Sequence, residues 1–273
     1  MLIKFIILII KEELVLFNLE IFDIKLDTDF VGRNFIYTDE ISSTNSELLS
    51  QKKNYKNTGT VLLAEHQLEG KGRKDREWIS AKDLNLTFSI LLFDITAPAN
   101  QVNIINLAAS LSVAASIENL YQLRTELKWP NDVLINRRKV SGILLETSLQ
   151  GNKIERLVIG MGINVNQKSF PGKYNFPPTS INLEAGREIE RETLLAEILN
   201  NFEDLLQSAI SNPQHILNDW KTKCNMIGDR IKIIEKDKTI AGIFDDIDEN
   251  GFLILRRGDK LEKIHFGDVS LEL

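Results

Sequence analysis

The sequence predicts an α+β fold, in which a sheet flanked by helices is followed by a small C-terminal β-barrel. Three observations predict it: short apolar runs typical of buried strands, long stretches with apolar residues at helical spacing, and a change to short strands alone after Gly228. A chain of 273 residues can form one large and one small domain. We therefore expect an N-terminal extension at residues 1–34, a large domain at 35–227 and a small domain at 228–273.

The first ten residues, MLIKFIILII, form an apolar run interrupted by Lys4. The run is far shorter than the roughly 20 residues that span a bilayer, and no small-residue cleavage site follows it, which argues against a signal peptide. We interpret it as an added strand or helix that packs on the domain, or as a non-native start. We expect a cytoplasmic protein with no membrane partner.

The large domain is expected to begin with a strand at residues 35–41, followed by a capping box at Thr44 to Glu47 that starts a helix through Leu49. Further apolar runs predict strands at 61–64, 86–93, 127–129, 133–135, 142–147 and 156–165. The last four follow one another so closely that we expect antiparallel neighbours. Helical spacing predicts helices at 103–120 and 191–210, with a third at 213–224.

The small domain is predicted from four short strands at 230–235, 239–247, 252–256 and 261–265. Turn signals at 236–237, 249–251 and 257–259 separate them. This pattern indicates a small β-barrel that leans on its larger neighbour.

Composition excludes several classes of function. Lys and Arg number 33 against 39 Asp and Glu, and the net charge of −6 argues against general affinity for nucleic acid. Cys224 is the single cysteine and cannot form an internal disulfide. The three histidines, His66, His215 and His265, show no spacing typical of a zinc site.

The most informative stretch is residues 70–78, GKGRKDREW, where four cations lie within six residues beside two glycines. The backbone N–H groups of such a loop can approach phosphate closely. It is not a Walker loop, because no glycine stands at position 65 and no Ser or Thr follows Lys71. A solvated basic loop is the alternative, but this charge in a net-acidic chain favours a specific anionic ligand.

Two further segments combine local structure with candidate chemistry. Residues 128–132, KWPND, are typical of a tight turn between strands, yet Lys128 stands where its ammonium can face developing negative charge. Asn131 and Asp132 can reach a phosphate-bound metal. Residues 42–45, SSTN, fit a helix N-cap, or a cluster of short donors and acceptors for a compact polar head group. Weaker signals are Gln67 and residues 139–143 and 160–164.

Taken together and in this order, these segments resemble the biotin–protein ligase family. The matching pieces are Ser43-Thr44-Asn45, Ala64-Glu65-His66-Gln67, the loop at 70–78, the turn at 128–132, Val140-Ser141-Gly142-Ile143-Leu144 and Gly162-Ile163-Asn164. The match runs from about Phe35 to the C-terminus. It implies an antiparallel or mixed sheet flanked by helices, as in class II aminoacyl-tRNA synthetases and lipoate ligases, and an SH3-like C-terminal domain.

The resemblance also implies a reaction and its partners. Biotin and ATP would form biotinyl-5'-AMP, and biotin would then pass to a lysine of a biotin carboxyl carrier protein domain, in acetyl-CoA carboxylase or a related carboxylase. Mg²⁺ would accompany ATP, held mainly by the triphosphate and by Asn131 or Asp132. Whether the protein forms a homodimer stays open.

Roles for individual residues follow from the same resemblance. Lys128 and Arg73 would be catalytic. Biotin would be bound by Ser43, Thr44, Asn45, Gln67, Gly70, Lys71, Gly72, Arg73, Lys128 and Gly142. ATP would be bound by Arg73, Arg76, Trp78, Lys128, Asn131, Asp132 and Asn164, with Trp78 packed over the adenine.

The chain departs from the family pattern at three positions. Lys71 and Asp75 stand where the family usually has Arg and Gly, and Glu272 stands where some members carry a basic residue. Lysine keeps the charge of arginine but not its flat two-pronged geometry. Members that double as repressors begin with a winged helix-turn-helix, which contains three helices with their turns and a wing. Helices average about 11–12 residues, so the roughly 34 residues before the large domain are too few for this module. We therefore expect no DNA binding of that kind.

Three alternatives to a biotin ligase stay open. A lipoate–protein ligase shares the architecture, although its motifs differ. A non-catalytic biotin- or carrier-binding module could use the same fold, but Lys128 and Arg73 argue against it. An RNA-binding protein is suggested by the basic loop alone.

Overall fold

The computed structural model describes residues 6–7, 17–74, 76–93, 102–151, 153–172, 174, 176–235, 238–265 and 267–271. The strands are β1 (Ile6–Ile7), β2 (Phe35–Ile41), β3 (Thr60–Gln67), β4 (Leu86–Phe93), β5 (Thr125–Lys128), β6 (Asp132–Ile135), β7 (Arg138–Gln150), β8 (Lys153–Ile163), β9 (Arg230–Glu235), β10 (Lys238–Ile247), β11 (Leu253–Arg257), β12 (Lys260–Ile264) and β13 (Asp268–Leu271). The helices are α1 (Leu19–Lys25), α2 (Thr44–Leu49), α3 (Val102–Tyr121), α4 (Ile181–Ala185), α5 (Arg191–Ser211) and α6 (Pro213–Lys223).

The large domain is built on an eight-stranded mixed sheet in the order β1-β2-β3-β4-β8-β7-β6-β5. β1, β2 and β3 are parallel neighbours, and the remaining pairs are antiparallel. The antiparallel arrangement predicted for the last four strand candidates of the large domain, now β5 to β8, is therefore confirmed. The predicted fold class is confirmed as well.

The two faces of this sheet pack against different helices. Because side chains alternate along a strand, Val61 and Leu63 of β3 enter the main core with α3 and α5, whereas Leu62 points the other way, onto Leu48 of α2. The sheet thus has a helix-covered core face and a second face on which only the short α2 packs among the described helices. This second face carries the functional site.

Helix α3 is long and apolar enough to cross a membrane by length and composition, but 72% of that window is buried inside the protein. Its small residues, such as Ala108 and Ser112, are fully covered by the sheet and by α5. Close packing in the core accounts for its apolar composition.

Several local expectations need correction. The cap of α2 is Ser43, whose hydroxyl accepts from Ser46 N, and not Thr44. Within the predicted extension, Asn18 caps α1 and accepts from Glu20 N and Ile21 N. This seven-residue helix was not predicted, because Phe22 is its sole buried residue and leaves no apolar stripe to detect. β1 extends the sheet beside β2, while residues 1–5 and 8–16 lie outside the described part.

The C-terminal strands form a five-stranded antiparallel sheet in the order β12-β11-β10-β9-β13. Four of them lie within about two residues of the predicted positions, β13 was not predicted, and the expected turn at 236–237 is outside the described residues. Hydrogen bonds fasten this sheet to the large domain; among them, Trp129 Nε1 donates to Gly251 O at 3.1 Å, and Asn103 Nδ2 donates to Asn250 O at 3.0 Å. The second sheet therefore closes one side of the site.

Candidate active site

A cavity of about 770 Å³ opens on the second face of the large sheet. Its walls come from α2, from the loop at residues 70–78, hereafter the lid, from the 128–132 turn, and from β9 and β13 of the C-terminal sheet. Of the residues predicted from the sequence, the following line it: Ser43, Thr44, Asn45, Gln67, Lys71, Gly72, Arg73, Arg76, Trp78, Lys128, Asn131, Asp132, Gly142 and Asn164.

Gly70 is the predicted site residue that does not line this cavity. Its carbonyl accepts from Trp78 N at 2.8 Å and closes the base of the lid. A Cβ at this position would collide with the Trp78 carbonyl. Gly70 therefore contributes to the site through the backbone at the base of the lid, because only glycine allows this close approach to the Trp78 carbonyl.

One wall is a set of short polar side chains held in fixed positions. Gln67 Oε1 accepts from Thr44 N at 2.7 Å and from Thr44 Oγ1 at 3.0 Å. The hydroxyl of Ser89, which the sequence analysis missed, lies 2.6 Å from both Thr44 Oγ1 and Asn45 Oδ1. Asn45 in turn donates to Leu144 O at 3.1 Å. We call Thr44, Asn45 and Gln67 the polar wall. Ser89 is buried behind it, and these hydrogen bonds fix the side chains of the wall before a ligand arrives.

Two glycines of the 160–164 segment bring this wall and the lid close to the sheet. A Cβ at Gly160 would collide with the Asn45 amide, and a Cβ at Gly162 would collide with the Trp78 indole. The glycines are therefore needed for packing against β8. Asn164, the predicted ATP-binding residue beside them, is buried and donates to Thr179 O at 2.9 Å.

Opposite the polar wall, one carboxylate holds two ammonium groups. Asp132 lies 2.6 Å from Lys139 Nζ through Oδ1 and 3.5 Å from Lys128 Nζ through Oδ2. Burial alone would raise the pKa of the Asp132 carboxyl, but Lys139 and Lys128 outweigh it and hold that pKa below its usual range. Lys128 is only 7% exposed, and its ammonium lies 5.1 Å from the centre of the Phe176 ring.

Lys139, which belongs to the weaker signal at residues 139–143 but had no predicted role, also lines the cavity. Its N–H donates to Pro177 O at 2.8 Å and its carbonyl accepts from Thr179 N at 2.9 Å, so its backbone is fixed on both sides. Its ammonium lies 5.8 Å from the centre of the Trp78 ring. In the sequence, Lys139 is visible only as a cation three positions before Gly142. The pairing of β6 with β7 is what brings its side chain beside Asp132.

An aromatic wall was also missed. Phe170, Tyr174 and Phe176, in the segment between β8 and α4, line the cavity beside Lys128. In the sequence they stand in a loop rich in Pro and Gly, where isolated aromatics carry no periodic pattern. The cavity thus has an aromatic side and a cationic side.

The lid contacts both the large domain and the C-terminal sheet. Lys71 Nζ donates to Ser46 Oγ at 2.8 Å, and Lys74 Nζ donates to Ile234 O at 2.5 Å. Within the lid, Gly72 N donates to Arg76 O at 2.6 Å. Arg73 is half-buried and lines the cavity. The departures from the family pattern at Asp75 and Glu272 lie outside the described residues.

Trp78 lies at the junction of lid and sheet. Its ring packs on Gly162 and approaches Gly142. Its Nε1 is buried and has no hydrogen-bond partner within the described part of the chain. A buried N–H of this kind is ordinarily satisfied, so a ligand in the cavity would find a donor there.

The residues present do not build a metal cage. Among the described residues, no group of three His, Cys, Asp or Glu side chains is placed to hold a metal ion. Both oxygens of Asp132 face lysines, and Asn131 Nδ2 donates to Ile143 O at 2.5 Å. The two predicted metal-binding side chains therefore already have other partners, and we assign no step of the chemistry to a protein-bound metal.

Comparisons with known proteins agree with this architecture. The model of the biotin/lipoate A/B protein ligase family matches residues 37–164, and that of the biotin protein ligase C terminal domain matches residues 226–272. The chain is 32% identical to the bifunctional ligase/repressor BirA of Bacillus subtilis, over 90% of this chain and 76% of that protein. It is 31% identical to the biotin–[acetyl-CoA-carboxylase] ligase of Mycobacterium tuberculosis, over 84% and 86%.

A solved structure is similar throughout the fold. The biotin protein ligase from Aquifex aeolicus in complex with biotin and ATP matches with a TM-score of 0.74 and 28% identity. The match covers 88% of this chain and 98% of that one. The two-part architecture described above is thus shared with an enzyme crystallised with both ligands.

Proposed function

The chain belongs to the biotin/lipoate A/B protein ligase family, and from that premise we propose that it is an ATP-dependent biotin–protein ligase. One observation carries the proposal. The cationic lid and the buried ammonium of Lys128 face the same cavity, whose remaining sides are a fixed polar wall and an aromatic wall. Such a cavity suits two anionic reactants that must be brought together.

In the first half-reaction, a biotin carboxylate oxygen attacks the α-phosphorus of ATP. The new oxygen–phosphorus bond forms as the bond to the β-phosphate oxygen breaks, and pyrophosphate leaves. No enzyme nucleophile is needed, so the protein contributes positioning and charge stabilisation. Mg²⁺ would enter with the triphosphate.

We assign the charge stabilisation to Lys128, Lys139, Arg73 and Arg76. The two lysines are fixed by Asp132, and a pre-positioned cation in a partly desolvated site stabilises developing negative charge without reorganisation. Arg73 and Arg76 of the lid line the same cavity. Lys139 thereby joins Lys128 as a candidate for adenylate formation.

Biotin and ATP would bind against different walls of the cavity. We propose that the polar wall, with Ser43 and Gly142 beside it, holds the polar ring of biotin, because its donors and acceptors are already oriented. The aromatic wall and Trp78 would hold the adenine, since flat rings favour aromatic surfaces. Asn131 and Asn164 would then line the nucleotide side.

In the second half-reaction, a neutral lysine amine of the carrier attacks the acyl carbon. The carbon–nitrogen bond forms, the bond to the phosphate oxygen breaks, AMP leaves and the amine proton passes to solvent. The lid would exclude water and keep the adenylate from hydrolysis. We propose that the acceptor is a biotin carboxyl carrier domain of acetyl-CoA carboxylase or a related carboxylase.

We also propose a cytoplasmic site of action. Cys224, the single cysteine, is buried, and burial raises the pKa of its thiol to about 12, so the thiol stays protonated at neutral pH. A homodimer and nucleic-acid binding stay outside the proposal.

Pyrophosphate exchange into ATP tests the first half-reaction. We expect exchange that depends on biotin and is not supported by lipoate. Exchange supported by lipoate alone would identify a lipoate ligase, and no exchange with either acid would identify a non-catalytic module.

A further inference from the structure

A second, smaller hollow of about 210 Å³ lies beside the main cavity, behind the base of the lid. It shares Gln67, Glu77, Trp78 and Ile79 with the main cavity, and His66 and Leu68 lie on its outer side. We call residues 66–70 and 77–80 around it the lid-base groove. None of the chemistry assigned above uses its rim.

The rim exposes two large apolar side chains. Leu68 is 61% exposed and Ile79 is 63% exposed, one on the segment that enters the lid and one on the segment that leaves it. A single exposed leucine is ordinary. A pair that flanks a hollow is typical of a surface that receives an apolar side chain of a partner.

The charge of the rim is opposite to that of the cavity. Glu69 and Glu77 are exposed beside the groove, and Glu40 lies 3.2 Å from His66 Nδ1. The main cavity shares Glu77 and contains Asp132, but its cations outnumber them: it presents Lys128, Lys139 and the cations of the lid. An acceptor lysine is therefore attracted to the groove as an ammonium group, and the cations of the cavity favour the neutral amine that reacts there.

We propose that the lid-base groove docks the acceptor protein. An apolar side chain next to the target lysine packs between Leu68 and Ile79, while the lysine side chain passes Trp78 into the main cavity. Because the two hollows share Gln67, Glu77, Trp78 and Ile79, the groove adjoins the site of the acyl adenylate, and its acidic rim matches the positive charge of the incoming lysine. The inference rests on the proposed function, because it requires an adenylate in the main cavity.

The test compares two reactions of the full-length protein. In Leu68→Ser, we expect the KM for the biotin carboxyl carrier domain to rise about tenfold, as for truncation of an interface anchor, with biotin-dependent pyrophosphate exchange unchanged. In Leu149→Ser, a matched control whose leucine is 60% exposed at the far end of β7, both should stay at the wild-type level. Glu69→Gln should slow acceptor transfer more at low salt than at high salt.

Each other outcome overturns the inference in its own way. If wild-type exchange depends on biotin but Leu68→Ser keeps a normal KM for the carrier, the docking surface is elsewhere and the ligase function stands. If Leu68→Ser lost pyrophosphate exchange as strongly as carrier biotinylation, Leu68 would support the structure of the main cavity and would not dock the carrier. If the wild type is a dimer and Leu68→Ser is a monomer, the groove is an interface with a second copy of this chain and not the docking surface for the carrier. Absence of exchange in the wild type would instead remove the proposed function.

Discussion

At the scale of single residues, the site depends on one buried carboxylate that holds two lysines. Asp132 lies on the 128–132 turn, Lys128 is four residues before it, and Lys139 comes from the next strand. The fixed ammonium groups face the cavity, where negative charge develops on the α-phosphate. Asp132 is therefore a positioning residue, and the two lysines are the groups expected to touch the reactants.

We expect Lys128→Ala and Lys139→Ala each to lower biotin-dependent pyrophosphate exchange by about 10²–10³-fold, the usual loss when one pre-organised charge-stabilising group is removed. Lys221→Ala is the matched control, because Lys221 is also ion-paired, with Asp246 at 2.8 Å, but lies outside the cavity. Unfolding in urea checks that the variants are folded. A near-normal exchange rate in Lys128→Ala would remove its catalytic role.

The titration of Asp132 predicts a stability change in acid. Its pKa is lower in the folded protein than the value of about 3.9 in an unfolded chain. The stabilisation is therefore fully present above the unfolded value and is lost as the pH falls through the folded value. We expect Asp132→Asn to reduce the free energy of unfolding by about 1–3 kcal/mol at pH 7 and to flatten its decline below pH 4.

Urea unfolding at a series of pH values measures this. Asp246→Asn provides the comparison, because its ion pair is much more exposed than that of Asp132 and such pairs contribute little. If the acid slope of Asp132→Asn equals that of the wild type, another carboxyl group is responsible.

At the scale of elements, the lid and α2 form the site together. Lys71 joins the lid to α2 and Lys74 joins it to β9. The segment 70–78 was identified from the sequence because cations and glycines are visible there without knowledge of the fold. Its contacts were not, since they depend on which distant elements the sheet order brings beside it.

Arg73→Gly should loosen the lid over the adenylate, because it removes a half-buried cation from the cavity wall and adds backbone freedom. We expect biotin to appear on lysines of a bystander protein such as serum albumin, several-fold above the wild type, by streptavidin detection. Lys56→Gly, on an exposed loop outside the cavity, is the control. Labelling confined to the carrier in Arg73→Gly would count against the lid.

At the scale of the whole molecule, two sheets enclose one cavity. The C-terminal sheet contributes Ile234, Val269 and Ser270 to its wall. The hydrogen bond from Trp129 to Gly251 ties this sheet to the same turn that carries Lys128 and Asp132. The position of the small domain and the geometry of the lysines are therefore coupled.

We expect Trp129→Phe to lower the free energy of unfolding by about 1–3 kcal/mol, because the Gly251 carbonyl loses its buried donor. The KM for ATP should rise as the turn shifts. Equilibrium unfolding and initial-rate kinetics measure the two effects. If the free energy of unfolding fell by less than about 0.5 kcal/mol, the hydrogen bond from Trp129 to Gly251 would not be what couples the C-terminal sheet to the large domain.

Much of this architecture could be predicted from periodicity and spacing. The strands β2 to β12, the three long helices and most cavity residues were identified, because each leaves a local pattern. The features that were missed leave no local pattern in the sequence. α1 is too short to show an apolar stripe, Ser89 looks like any strand residue, and Lys139 becomes part of the site only through the register of β6 against β7.

The most direct test of the central claim, that this cavity joins biotin to a protein through ATP, is the mass of a purified carrier domain after incubation with the protein, ATP, Mg²⁺ and either biotin or lipoate. The account predicts that one lysine of the carrier gains one biotinyl group, only when ATP is present. A carrier of unchanged mass, or one that gains lipoyl in place of biotinyl, would contradict it.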